Sequence, residues 1–261
     1  MEEVQHIMSY SDVVIGATDY SFITTNAVDF ALQRGARFLS MPLHTNDGSS
    51  IFASDFIRMN PRRAAQIAKP MLKALRSTDT IHVTTPNGTD IRFNKKDRKT
   101  GLFHGVTSRR RSIGSSSFEV YVPIIEDSAE GTVILDGSMG YIGLVEAPLE
   151  LRFERGRLAF IEPTADGERL KNYILSFRDE ALFSASEFGI GLNEISRCRG
   201  ISYIEDESTF GTFHIGFGRN LALGGTLDAA GHFDIVIHNP TIFTDSQTVM
   251  VDGHVIDTSI F

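Results

Sequence analysis

Past residue 97 the chain is cut into short pieces by glycine. "AEGTVILDGS" (129–138), "FERGRLAF" (153–160) and "VDGHVI" (251–256) place Gly or Asp-Gly turns between alternating runs such as "FEVYVPI" and "LELRF". Such residues supply the backbone conformations of tight hairpins, and period-two alternation buries one face of a strand. This part of the chain is therefore expected to be mainly antiparallel sheet with tight turns. One helix interrupts it, "DGERLKNYILSFRD" (166–179), with Asp166 placed to cap it and Leu170, Tyr173, Ile174 and Phe177 on one face.

The first third has a different texture. "DVVIGA" (12–17) predicts a buried strand, "TNAVDFALQRG" (25–35) a helix stopped by Gly35, and "ARFLSMP" (36–42) a second strand. "PRRAAQIAKPMLKALRS" (61–77) predicts a helix with Pro61 near its start and a kink at Pro70. "TIHVTTPNGTDIRFNKK" (80–96) predicts a hairpin around Pro-Asn-Gly. Strand–helix alternation implies a parallel α/β layer, and so small a sheet needs its edge covered. The expected fold class is α/β plus mainly antiparallel β. A truncated, Rossmann-like α/β domain over residues 1–96 is followed by a β-rich domain over residues 97–261.

Charge narrows the partners. The net charge of -8 argues against a nucleic-acid backbone as the main partner, because such binding needs a basic surface. The one basic stretch, "SRRRS" (108–112), is expected to be an exposed loop. The single cysteine, Cys198, allows no internal disulfide and is expected to be inert. No apolar run approaches the roughly 18 residues of a membrane span. The acidic N-terminus "MEEVQHIMSYSD" lacks the basic start and apolar core of a signal peptide. A cytoplasmic protein without a membrane partner is expected.

The histidines are few enough to weigh singly. His6, His44 and His104 fall in loops or element ends, His82 in a strand, and His238 and His254 in or beside turns, where solvation is expected. His214, in "GTFHIGFGRN", sits among apolar residues, which by itself suits a core histidine. Gly211, Gly216 and Gly218 around it loosen that reading, since glycine in a strand often marks close approach to a ligand. In "GHFDIVIHNP", His232 and Asp234 stand two apart, so a strand points both to one face. A strand can thus offer an imidazole and a carboxylate to one metal ion, although any half-exposed strand can show this spacing by chance. Glu119, in "SSSFEVYVPI", and Glu187, in "SASEFGIGLN", are charges in apolar or small-residue runs. Each is either an exposed strand residue or a buried carboxylate that needs a metal, a cation or a proton. The acidic cluster "YIEDES" (203–208) is expected to be a solvated loop.

The order of these segments, "FEVYVPI…EGTVILDGS", "SEFGIGLN", "YIEDESTFGTFHIGFGRN", "GHFDIVIHNPTI" and "VDG", resembles the aminopeptidase T / aminopeptidase S family of metallopeptidases over roughly residues 80–261. Residues 12–80 resemble the later part of that family's N-terminal α/β domain, with the earlier βα units missing. The resemblance implies a pair of metal ions held by Glu119, Glu187, His214, His232 and Asp234. It also implies a homodimer. One departure concerns the substrate side: the family carries a tyrosine shortly after the first histidine, where this chain has Leu221. A similar scaffold serves the dihydroxypyridine ring-cleaving dioxygenases, which hold one Fe(II) through histidines and an aspartate.

The resemblance therefore implies a metal-dependent hydrolase of aminopeptidase type. One or two Zn or Co ions would activate water for attack on an amide of a small peptide or small molecule, with Glu119 or Glu187 as general base. The alternative is a Fe(II)-dependent ring-cleaving dioxygenase, with His214, His232 and Asp234 on the iron and a glutamate as nearby base. A third reading, motivated by Leu221 and the shortened N-terminus, is a relative that binds a ligand without turnover.

Overall fold

The computed structural model describes residues 2–256. The N-terminal layer runs α1 (Glu2–Ser9), β1 (Val13–Thr18), α2 (Asn26–Gln33) and β2 (Arg37–Pro42). Strands β1 and β2 pair in parallel. Helix α2 buries Val28 and Ala31 in a small cluster with Phe38 of β2. Gly35, at φ 105°, takes the left-handed turn that ends the helix. Strand β1 was expected to be buried. It is instead an edge strand with only Gly16 buried and with Val13 and Ile15 exposed.

Helix α3 (Pro61–Arg76) starts on the predicted proline, its first turn capped by the Asn60 side chain, which accepts from Arg62 N at 2.9 Å. It buries Ala64, Ala68, Met71 and Leu75, the one-face spacing of an amphipathic helix. Pro70 lies inside it. The predicted hairpin follows as β3 (Thr80–Thr84) and β4 (Asp90–Asn94), and then come β5 (Gly101–His104), β6 (Ile113–Ser115) and β7 (Phe118–Pro123). The exposed arginines of 108–112 lie between β5 and β6, in a loop as expected.

The remainder is β8 (Glu130–Leu135), β9 (Leu149–Glu154), β10 (Arg157–Ile161), α4 (Ala165–Ser176), β11 (Ala185–Gly191), α5 (Tyr203–Ser208), β12 (Thr212–Gly218), β13 (His232–His238), β14 (Thr241–Thr244), β15 (Thr248–Val251) and β16 (His254–Val255). Helix α4 is capped by Thr164, which accepts from Gly167 N at 3.1 Å, and not by Asp166. Asp166 lies one residue inside the helix, accepts from Glu146 N and pairs with Arg169.

Two antiparallel sheets carry the core. One is ordered β10-β9-β8-β4-β3-β14-β15-β16 and the other β13-β12-β11-β7-β5. Their inner faces share one apolar cluster, bridged by Phe93 against Phe188 (5.6 Å between ring centroids) and Phe153 against Phe217 (5.9 Å). Burial of these rings and of the Val, Ile and Leu around them is the main favourable term holding the sheets face to face.

Sheet membership does not follow the expected division at residues 96/97. The hairpin β3–β4 belongs to the large antiparallel sheet, and β6 joins β1 and β2 in the parallel one. Among the described residues, no helix is long and apolar enough to cross a membrane.

Candidate metal centre

The five-stranded sheet has one face in the core and one turned toward the N-terminal layer. Strict alternation sorts its side chains. Phe118, Val120 and Val122 of β7, Phe188 and Ile190 of β11, Phe213, Ile215 and Phe217 of β12, and Phe233, Ile235 and Ile237 of β13 go to the core. The intervening positions of the same strands put Glu119, Glu187, His214, His232 and Asp234 on the opposite face. All five sequence candidates meet there, and none is an exposed strand residue: the carboxylates and His214 are buried, and His232 is nearly so.

Glycine makes the room. Each of the five has a glycine directly across from it in a neighbouring strand: Gly191 from Glu119, Gly189 from His214, Gly216 from both Glu187 and Asp234, and Gly218 from His232. A Cβ on Gly189 would run into the His214 ring. The polar side chains can therefore lie across the sheet, with each glycine backbone as their floor.

Two three-residue sets bring their ligand atoms within 4.8 Å of one another, Glu119–Glu187–His214 and Glu187–His232–Asp234. His214 Nε2 lies 2.8 Å from Glu119 Oε2, while Ser117 Oγ donates to the other Glu119 oxygen at 2.7 Å. His232 Nε2 lies 3.2 Å from Glu187 Oε2 and 3.5 Å from Asp234 Oδ1. His232 Nδ1 faces the Arg219 carbonyl at 3.0 Å, which holds a proton on Nδ1 and makes Nε2 the nitrogen available to exchange its proton for a cation. Tyr203 donates its hydroxyl to Asp234 Oδ2, whereas Asp234 Oδ1 is buried with no hydrogen-bond partner.

The acidic cluster 203–208 was expected to be solvated. It forms α5, and all six of its residues are buried. It delivers two groups that the sequence reading passed over, Tyr203 and, one helical turn later, Glu207, which lines the same cavity. The available signal was their i, i+4 spacing, which puts both on one helix face.

The cavity is small, about 150 Å³, and lies under residues 21–25 of the N-terminal layer. Besides the site side chains it is lined by Thr24, Phe103, Arg219 and Leu223. Leu221, the position singled out from the resemblance, begins the short turn that carries Leu223.

Four carboxylates (Glu119, Glu187, Glu207 and Asp234) are thus buried with two imidazoles. Without a cation the site must hold protons instead. Burial raises Glu187 to about 7 against the pull of its His232 hydrogen bond. Burial also raises Glu207 well above the usual carboxylate range, with Glu119 and Asp234 adding to it. For His214, burial is outweighed by the hydrogen bond and charge of Glu119, which raise it to about 9. For His232, burial is likewise outweighed by Asp234 and Glu187. Asp234, despite burial, is drawn down to about 2 by His232. Excess buried negative charge and an orphaned carboxylate oxygen are what a divalent cation corrects, so a metal fits this donor set. Cys198 shows no such activation, since burial pushes its thiol up.

The model of the NicX family, 2,5-dihydroxypyridine 5,6-dioxygenase, matches residues 1–257. The chain belongs to this family. A curated relative, the 2,5-dihydroxypyridine 5,6-dioxygenase of Pseudomonas putida, is 26% identical over 208 residues, 75% of this chain and 58% of the relative. The chain therefore spans less than two thirds of the length of that relative. The solved structure of the 2,5-dihydroxypyridine dioxygenase from Pseudomonas putida KT2440 superposes with a TM-score of 0.80 at 20% identity, covering 97% of this chain and 74% of the other. Wild-type AmpT from Thermus thermophilus superposes with a TM-score of 0.67 at 16% identity, covering 98% and 79%.

These likenesses correct the principal sequence expectation. The aminopeptidase resemblance reported a shared scaffold, and at 16% identity the scaffold is all it carries. The family is one of ring-cleaving dioxygenases, which overturns the reading of a hydrolase, aminopeptidase or metallopeptidase.

Proposed function

We propose that this protein is a Fe(II)-dependent dioxygenase that opens the ring of a dihydroxylated pyridine, with His214, His232 and Asp234 as the iron ligands. The observation that carries this reading is the family match over residues 1–257. The residue types support it, because two imidazoles and one carboxylate are the ligand type of non-haem iron oxygenases; His232 and Asp234 already lie in one set, and His214 lies in the adjoining set that shares Glu187 with it. Iron, when bound, supplies a centre at which dioxygen and an adjacent ring hydroxyl can meet.

The chain's own residues do the rest. Arg219 O orients the His232 ring, and Tyr203 turns Asp234 Oδ1 away from itself and leaves it free. His214 Nε2 rests on Glu119 and would have to turn from that carboxylate to hold a cation. Glu119, steadied by Ser117, would then be the base beside it. Glu187, raised to about 7, is suited to take a proton from a ring hydroxyl and return it. A cavity of about 150 Å³ has room for one six-membered ring and little water.

The test is metal add-back. Metal-free protein is loaded in separate samples with Fe(II), Co(II) or Zn(II), metal content is measured, and oxygen uptake is followed with 2,5-dihydroxypyridine. Uptake matched to substrate loss with Fe(II) alone is expected. Fe(II)-loaded protein that consumes no oxygen with this substrate overturns the reading.

A further inference from the structure

Three of the six tyrosines form an unbroken series from the candidate metal centre to the surface, in a chain that has no tryptophan. Tyr203 touches Asp234 through its hydroxyl. Its ring stacks on Tyr141 with 4.4 Å between centroids and 15° between planes. Tyr141 meets Tyr20 edge-on at 5.1 Å, and Tyr20 is 57% exposed and stacked on His44 at 5.2 Å. Of the other tyrosines near the site, Tyr121 stacks on Phe103 and Tyr173 packs edge-on against Phe177 and Phe233, rings that are far harder to oxidise, so those directions lead nowhere.

We propose that Tyr203, Tyr141 and Tyr20 are a conduit that carries an oxidising equivalent out of the site when oxygen is activated there without substrate. The proposal rests on the iron–oxygen reading above for the source of the oxidant, and on the tyrosine geometry for the path. Phenol rings in van der Waals contact exchange electrons quickly, and tyrosine is the most readily oxidised aromatic residue in this chain.

The electrons balance step by step. Dioxygen activated in the site takes one electron and the phenolic proton from Tyr203. Tyr141 then gives one electron to Tyr203, which takes up a proton from solvent, and half-buried Tyr141 releases its own proton to water. Tyr20 reduces Tyr141 in the same way. The radical left on exposed Tyr20 is quenched by a soluble one-electron donor of the thiol or ascorbate class, which supplies one electron and one proton. Net, each pass oxidises one donor by one electron and reduces the oxygen-derived oxidant by one, and four passes take one dioxygen to two waters, with no protein bond broken.

The experiment maps oxidation damage. Wild-type protein and the variants Tyr141→Phe, Tyr20→Phe and Tyr121→Phe are loaded with Fe(II), checked for iron content, and exposed to air without substrate or reductant. Peptide mass spectrometry then locates oxidised residues, and freeze-quenched electron paramagnetic resonance detects tyrosyl radical. In the wild type, oxidation is expected to concentrate on Tyr20. In Tyr141→Phe, which keeps the ring stack, it should shift severalfold toward Tyr203, His214 and His232, with loss of the tyrosyl signal from Tyr20. Tyr121→Phe should match the wild type. Identical maps for wild type and Tyr141→Phe, or an equal shift in Tyr121→Phe, overturn the conduit. Should the protein retain no iron, the function reading fails by itself. The conduit is then tested with Cu(II) and hydrogen peroxide, which generate an oxidant at whatever cation the site holds, and the same comparison decides it.

Discussion

Gly216 stands directly across the sheet from Asp234, and a Cβ there would lie 2.6 Å from Asp234 Oδ1, 2.8 Å from Glu187 Cβ and 2.9 Å from His232 Cε1. One missing methyl thus sets the spacing of three site residues. Gly216→Ala is expected to destabilise the protein by about 1–3 kcal/mol through overpacking and to abolish tight metal binding. Thermal melts of the metal-free variant and a metal titration check the two effects separately. An alanine variant that keeps full metal content removes glycine from the account of the site.

Tyr203 fixes Asp234 from the other side. Its hydroxyl occupies Oδ2 and leaves Oδ1 free, which is the arrangement a metal-ligating carboxylate needs. Tyr203→Phe keeps the stack on Tyr141 and loses only the hydrogen bond. Partners that orient a ligand are commonly worth about 10–100-fold in metal affinity, and a loss of that order is expected here. Competition with a chelator of known affinity measures it, and unchanged affinity would show that the hydroxyl does not orient the carboxylate.

Protons and metal compete for the same atoms. In the metal-free protein His214 is raised to about 9 from an ordinary value of about 6.5. A histidine raised on folding contributes stability that is fully present below about 6.5 and is lost as pH rises through about 9. A metal ion needs the imidazole neutral, so its binding expels protons and tightens over the same interval. Melting temperature of the metal-free protein is expected to fall between about pH 6.5 and 9, while the increment given by saturating metal grows. Parallel pH profiles with and without metal would remove His214 from the ligand set.

Arg219 joins the two layers at the cavity. Its carbonyl receives His232 Nδ1–H, while its guanidinium donates to Thr24 O and to the side chains of Asn26 and Asp228. Thr24 and its neighbours cover the cavity. Arg219→Gln keeps the carbonyl and releases the cover. It is expected to raise KM about tenfold, equivalent to about 1.4 kcal/mol, with metal content unchanged. A fall in bound metal without a change in KM would place the residue's effect at His232 instead.

Much of this site was legible in the chain. Alternation in "FEVYVPI" and "HFDIVIH" forced Glu119, His232 and Asp234 off the apolar face, and the glycines around His214 marked a close approach. Residues 203–208 misled, because an acidic string reads as solvated unless its neighbours are known. Their burial comes from packing against β7, β11 and β13, while Asp206 Oδ1 accepts locally from Arg199 N and Gly200 N. The cap of α4 was misplaced by two residues for a similar reason: Asp166 and Thr164 are both capping types, and only the contacts with Glu146 and Arg169 draw the aspartate elsewhere.

The sequence by itself determined where the hairpins turn and how side chains alternate along the strands of the β-rich part, because turn chemistry and alternation act over a few residues. Tertiary structure decided which strands became neighbours. It put β6 beside β2, brought Glu119 against His214 across 95 positions of chain, and set every candidate ligand opposite a glycine. Register is a relation between strands, fixed when the Phe-rich inner faces of two sheets are buried together, and no single segment carries it.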